Sequence, residues 1–368
     1  MLEIGESRAA LIVDLLGMAL AAPDVPSAVT PILGSLVERT AADGAAYFQR
    51  TGEAYHARAA SGVMPVGPMM DAILMHGLPS NTPVLEALGA TSNPLFFDDV
   101  KTAPAAAGFD ELGVASLAAA PVRGANGEFI GAFLMHTFAP HPWTEQEAVT
   151  FAAVAAALAS LTARLVAEEK TLAAREGALR ALGLALEHRD AETQGHTDRV
   201  TAWAEQLGRQ FSLSESELTS LRWGAYLHDI GKIAIPDAIL GKPGKFDAQE
   251  RLQMQVHPEI GRAFAAQLGF LPSDSIAVIH HHHERWDGSG YPDRLKGEAI
   301  PFPARLFAVC DVYDALTSVR PYKDAWSDDE ALAEIRATAG SHFDPAVVEA
   351  FERIISMPTE GSSQRLAE

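Results

Sequence analysis

"HHHHERWDGSGYP", residues 280–292, places four consecutive histidines inside the body of the chain and follows them with Glu284, Asp287 and two glycines. A histidine run is a purification tag, a solvated accident or a metal site. This one is internal and leads straight into an acidic, glycine-rich segment, which argues against a tag. Imidazole nitrogens next to carboxylate oxygens are good donors for a divalent metal. Four of the 13 histidines (His56, His76, His136, His141) precede residue 180, so the chemistry is expected in the second half.

Working outward, the same residue types recur. "RDAETQGHTDRV" holds Glu192 and His196, four apart and so expected on one helical face. "LHDIGK" pairs His228 with Asp229 and follows them with Lys232, "VHPEIG" supplies His257, and "CDVYDALTSVRPYK" supplies Asp311 and Asp314 ahead of Arg320 and Lys323. From about residue 180 onward the apolar residues recur at helical spacing, with Gly and Pro at the turns, so these donors fall on successive helices.

Composition bounds the rest. A chain of 368 residues is about right for two domains, and 48% apolar residues suffice for real cores. With 28 basic against 48 acidic residues the net charge is −20, which repels nucleic acid and anionic membranes. The lone cysteine, Cys310, excludes an internal disulfide and a cysteine-based zinc site and fits a reducing, cytosolic compartment. Glu3, Glu6 and Asp14 interrupt the N-terminal apolar stretch, so no signal peptide is read there. No run of about 18 uncharged apolar residues is seen, and a soluble protein is expected.

The first half mixes helix and strand signals. Residues 7–21 and 26–40 read as amphipathic helices. Residues 44–50, 54–60 and 94–100 read as strands, and residues 114–138 as a hairpin around Gly124-Ala125-Asn126-Gly127. Thr144 and Glu147 form a capping box that opens a helix. An antiparallel sheet framed by helices follows. The pattern "GSLVERTAADGAAYFQR…PVRGANGEFIGAFLMHTFAPHPWTEQEAVTFAAVAAALA" resembles a GAF domain, a small sensory α+β module whose members often bind small ligands. No cysteine is present there to attach a tetrapyrrole. His76 or His136 could in principle ligate haem, but no ligand is assigned, and an unidentified small ligand stays open.

Leu158, Leu165, Leu172, Leu179 and Leu186 recur every seven residues. They form the seam either of one helix packed on its own domain or of a parallel two-helix coil joining two chains. The coil, and with it a homodimer, is the expectation. The domains are then residues 1–160 (GAF-like), 161–186 (helical linker) and 187–368.

The order His, His-Asp, His, His-His, Asp resembles the HD superfamily of metal-dependent phosphohydrolases. Within it, "HHERWDGSGYP", "HDIGK", "HPEIG", "DVYDALTSVRPYK" and "GSHFDP" resemble the HD-GYP family over residues 180–355. That resemblance implies an all-α bundle that hydrolyses cyclic di-GMP to pGpG or GMP under GAF control. Carried over by position, it implies His196, His228, Asp229, His257, His282, His283 and Asp311 as metal ligands, with Asp229 as the bridge. Glu192 matches an additional carboxylate of members with three metals, so two or three divalent ions are implied, iron or manganese being favoured. Paired metals would lower the pKa of a water and polarise the scissile phosphate. Lys232 would contact phosphate or assist the water, and Asp190 would lie near the nucleophile or leaving group. Gly290, Tyr291, Pro292, Arg320 and Lys323 would bind substrate.

Two further readings stand: a phosphohydrolase of another nucleotide, or a non-catalytic cyclic di-GMP receptor or partner-docking module. His280 and His281 have no part in the motif and are read as incidental. Asp314, His342 and Asp344 are read as capping or supporting residues, Trp286 as core, and Cys310 as a buried packing residue. No nucleic-acid polymer and no membrane are expected as partners.

Overall fold

The computed structural model describes residue 22 and residues 24–190, 195–319 and 324–356; the helix expected over residues 7–21 lies outside them. The chain divides into two compact units, Met1–Leu172 and Ala173–Glu368.

The first unit is built on helix α1 (Val25–Arg39) and strands β1 (Gly44–Thr51) and β2 (Ala54–Gly62). Helix α2 (Pro68–His76), strand β3 (Leu78–Pro79), helix α3 (Pro83–Gly89) and strand β4 (Leu95–Phe97) follow, and then the hairpin of β5 (Ser116–Arg123) and β6 (Phe129–Thr137). The strands form one antiparallel sheet in the order β3-β2-β1-β6-β5-β4. Both faces are covered, which is why these strands read as apolar runs rather than as a clean alternation. Tyr47, Ala118, Ala120, Phe133 and Met135 face a core shared with α1 and the next helix. Their neighbours Ala46, Phe48, Leu117, Ala119 and Leu134 face a second core with α2 and α3. The second core leaves an apolar cavity of about 40 Å³ lined by Phe48, Met64, Met70, Phe109 and His136, among others. That is room for a water or two. His136 engages the Val63 carbonyl through Nε2 at 3.0 Å, whereas His76 ends α2 in an exposed position.

Helix α4 (Glu145–Asp190) opens with the expected capping box: the Glu147 amide donates to Thr144 Oγ1 at 3.2 Å, and the Thr144 amide to Glu147 Oε2 at 3.0 Å. By length and composition an 18-residue window of α4 is apolar enough to cross a membrane, and 44% of that window is buried within the protein. Phe151, Val154, Leu158, Leu161 and Leu165 supply much of that burial, against the sheet. The heptad leucines are divided. Leu158 and Leu165 are buried in the first unit, Leu179 and Leu186 in the second, and Leu172 is 45% exposed. Four of the five are therefore spent inside the chain, and the continuous leucine seam expected to pair two chains is not free for that purpose.

The second unit is helical: α5 (His196–Gln210), α6 (Glu215–Leu227), α7 (Asp237–Leu240), α8 (Ala248–Met254), α9 (His257–Gln267), α10 (Ser273–His281), α11 (Phe302–Thr317), α12 (Asp328–Ala337) and α13 (Pro345–Ser356). Capping boxes Ser214/Glu217, Asp247/Glu250 and Ser327/Glu330 start α6, α8 and α12. Asp344 accepts from the Ala346 amide at the start of α13 and pairs with Arg305 at 2.6 Å. One core joins Val200, Leu207, Leu221, Phe307 and Phe351; another joins Leu179, Trp223, Leu227, Ile230 and Ile279. Cys310 is fully buried in the first of these, and burial pushes its thiol pKa up, as suits a packing residue.

Candidate metal centre

Helix ends create the site. His228 caps the C-terminus of α6, and Asp229 follows it into a 3-10 turn, Ile230–Ala234, that carries Lys232. His257 is the first residue of α9, and His282 caps α10. Asp311 lies within α11. His196 is the first residue of α5, preceded by Gly195 at φ +82°. A new helix begins at His196, and whether Glu192 shares a face with it falls outside the described residues. Glu192 itself lies outside the described residues, as do Arg320 and Lys323.

Two groups of donors form. Asp229, His257, His282 and His283 make one, and His196, His228 and Asp311 the other; within each, the donor atoms lie within 4.8 Å of one another. Asp229 faces both. Its Oδ1 is 3.1 Å from His257 Nε2 and 3.7 Å from His282 Nε2, while its Oδ2 is 3.1 Å from His228 Nε2. Because α10 ends at His281, the roughly hundred-degree divergence of helical neighbours does not separate the next two residues. His282 and His283 stand side by side, with ring centroids 4.0 Å apart, in the same group.

The histidines are oriented by their own backbones. His228 Nδ1 lies 2.8 Å from the Ala225 carbonyl, His257 Nδ1 2.8 Å from Met254, and His282 Nδ1 3.1 Å from Ile279. A carbonyl only accepts, so each Nδ1 carries the hydrogen and donates. In the neutral ring each Nε2 then has its lone pair aimed at Asp229. Burial lowers the pKa of His282 and pushes that of His283 well down, which keeps both neutral. Burial by itself would raise the Asp229 pKa, but the Lys232 ammonium beside it works the other way, and the carboxyl is held well below its ordinary range. Such a set, neutral imidazoles around an ionised carboxylate with no thiolate, suits divalent metals.

Several residues support the ligands, and of these Asp314 was expected from the sequence while the others were not. Asp314 Oδ2 accepts from His196 Nδ1 at 2.8 Å, while Arg199 Nε donates to Asp314 Oδ1 at 2.6 Å. Asp311, one turn before Asp314 on the same face of α11, reaches His196 Nε2 at 3.7 Å. Buried Glu187 accepts from the amides of Gly195 and Thr197, fixing the start of α5. Arg189 donates to the carbonyls of Lys232, Ile233 and Ile235 and pins the 3-10 turn. Only Asp314, three residues from Asp311, left a spacing signal. Lys232 Nζ joins Asp229 Oδ2 at 2.6 Å and also bonds Asp190.

The turn after the histidines folds back over them. Tyr291 lays its ring against His283, with centroids 4.8 Å apart, and burial raises its pKa. A Cβ on Gly290 would meet the Glu284 Cα at 2.6 Å and the His283 carbonyl oxygen at 2.6 Å, so this close approach requires glycine. Gly231 is tighter still: a Cβ there would lie 1.9 Å from the His257 carbonyl oxygen. Trp286 is only half-buried, with the Arg305 guanidinium 5.7 Å from its ring, rather than a core residue.

Comparison with known proteins agrees with this geometry. Residues 181–347 match the family model of the HD domain. Those residues, within the second unit, are similar to the HD domain. The cyclic di-GMP phosphodiesterase response regulator RpfG of Xanthomonas campestris pv. campestris is 46% identical over 197 residues, 53% of this chain and 52% of that protein. The 3′3′-cGAMP-specific phosphodiesterase 2 of Vibrio cholerae is 45% identical over 169 residues, 46% of this chain and 32% of that protein. This chain thus spans about half or less of the length of these curated relatives. A solved GAF domain/HD domain protein from Geobacter sulfurreducens superposes with TM-score 0.34 at 15% identity, over 41% of this chain and 97% of that one. So loose a superposition adds nothing to the fold read from the strands. Both donor groups lie within the matched residues and are where this chain could hold a metal ion.

Proposed function

We propose that the chain hydrolyses cyclic di-GMP at the Asp229 centre, giving pGpG or GMP, under the influence of its GAF-like unit. The carrying observation is the Asp229 carboxylate, which turns one oxygen to each of two donor groups. In this reading His196, His228, His257, His282, His283 and Asp311 hold two divalent ions, with Asp229 between them. Glu192 would add a ligand if a third ion is bound. Iron or manganese fits an all-nitrogen and oxygen donor set. When bound, the metals supply an activated water and neutralise charge on the scissile phosphate.

The chain's own residues do the rest. Lys232 pairs with both Asp229 and Asp190, helps keep Asp229 ionised, and places an ammonium beside the position a phosphate would occupy. Arg199 and Asp314 fix the His196 ring. Tyr291, held by Gly290 and followed by Pro292, presents a flat ring for a base, and Arg320 and Lys323 are proposed as contacts for phosphate or guanine. A homodimer through the exposed stretch of α4 around Leu172 belongs to the same reading, as does an unidentified small ligand of the first unit.

The 45% identity to a 3′3′-cGAMP-specific enzyme favours a second reading, in which one guanine is replaced by adenine. The test is elemental analysis of anaerobically purified protein coupled to hydrolysis of both cyclic dinucleotides by the same sample. Two or three metals per chain with turnover of cyclic di-GMP support the first reading, and preference for cGAMP the second. Metal without turnover of either would favour a receptor.

A further inference from the structure

We propose that His280, His281 and Asp293 form a separate divalent-cation site, of the zinc class, outside the Asp229 centre. The first two histidines of the run are not incidental bystanders: the donor atoms of these three residues lie within 4.8 Å of one another. His280 Nδ1 is 3.7 Å, and His281 Nδ1 3.8 Å, from the same oxygen, Asp293 Oδ2. These separations are too long for hydrogen bonds. They are close to the roughly 3.3–3.5 Å that separates tetrahedral ligands each standing about 2.0–2.2 Å from zinc. A small closure would complete the contact.

Further observations point the same way. His281 Nδ1 is sealed from solvent and makes no hydrogen bond, an arrangement that wastes a buried polar nitrogen unless an ion takes its lone pair. Asp293 is held in place, because Glu284 accepts from the Asp293 amide at 2.7 Å and the Leu295 amide at 3.1 Å. Glu284 Oε1 also lies 4.0 Å from His281 Nδ1 and adds negative charge beside the site. The nearby Arg262 guanidinium is opposed by Glu259, on the same helix. The half-exposed Asp293 side chain leaves the outer side open to water as a fourth ligand. Two imidazoles and one carboxylate suit zinc, nickel or cobalt rather than magnesium or calcium.

The consequence is local. Asp293 directly follows Tyr291 and Pro292, so an ion here ties the turn that covers His283 to the end of α10. One helix end then serves two centres, His282 and His283 facing Asp229 while His280 and His281 face Asp293.

The test uses full-length protein with Asp229→Asn, so that the central cluster is impaired, stripped of metal and reloaded with zinc chloride. Compared with it, the Asp229→Asn/Asp293→Asn protein should hold one zinc ion fewer per chain. Zinc should increase hydrogen-exchange protection over residues 293–296 only in the former. Asp293→His, which keeps a zinc donor in place, should restore the ion. Equal zinc counts with and without Asp293, or a loss that Asp293→His does not restore, would overturn the site. Because Asp293 is half exposed, its replacement leaves the packing intact, and far-ultraviolet circular dichroism checks that the fold is kept.

Discussion

The first unit seals alanine, leucine, phenylalanine and methionine inside, and among its described residues His136 is the one buried imidazole; the second unit seals His196, His228, His257, His280 and His282 together with Asp229, Glu284 and Asp314. The difference is not that one interior tolerates histidine and the other does not. His136 meets the Val63 carbonyl and needs nothing more. His228, His257 and His282 each spend Nδ1 on a carbonyl at a helix end three residues earlier in the chain and turn Nε2 toward one carboxylate. A buried imidazole by itself marks packing. Several of them, fixed at one nitrogen and converging at the other, mark a site.

The sharpest way to break this contrast is Asp229→Ala. It should release bound metal and lower hydrolysis by more than about a hundredfold, beyond the usual effect of removing a mere supporting residue; metal analysis and chromatography of the dinucleotide products check it. Retained metal with full turnover would mean the cluster is packing after all. Asp314→Asn is the next largest. It removes the charge shared by His196 and Arg199, and metal affinity should fall about 10–100-fold with the fold intact, as read by competition with a chelating dye.

Paired glycine substitutions sharpen the comparison. In Gly231→Ala the new methyl meets the His257 carbonyl oxygen at 1.9 Å, and in Gly131→Ala it meets the Phe48 carbonyl oxygen at 2.5 Å. Each should cost about 1–3 kcal/mol in urea denaturation. Only Gly231→Ala should also weaken metal binding, because only there does the displaced backbone carry a candidate ligand. The smallest effect is that of pH on the metal-free protein. Burial pushes the His342 pKa from 6.5 down to about 4, and burial lowers that of His136 too. The unfolded chain therefore binds these protons more readily, so their contribution to stability is complete above about pH 6.5 and is lost as the pH falls toward 4. Melting temperature should be level above that window and drop by a few degrees within it. His342→Gln should flatten part of the slope.

Legibility differed between the two units as well. The hairpin around Gly124–Gly127 and the Thr144/Glu147 cap were readable because turn residues and capping pairs are local chemistry. Helices α2 and α3 were missed: each is short and opens on proline after a loop, so no long periodic pattern announces it. The donors of the second unit stood out as residue types in order along the chain, and the fold brings seven of them together. What holds them, Glu187 on the Gly195 amide, Arg189 on the 3-10 turn and Arg199 on Asp314, depends on contacts between distant segments that no spacing encodes. The heptad leucines show the converse error: a regular period was real, but two different interiors consume it.

The burial of the Asp229 centre has a consequence for the protein's history as well as its chemistry. His257 and His282 are 1% and 3% exposed, and the Tyr291 ring lies over His283. Ions would exchange slowly through such a lid once the chain is folded, so the metals found in purified protein would be a record of what the growth medium offered while the chain was being made. The choice of ion is then best exercised at synthesis or refolding, not by dialysis afterwards.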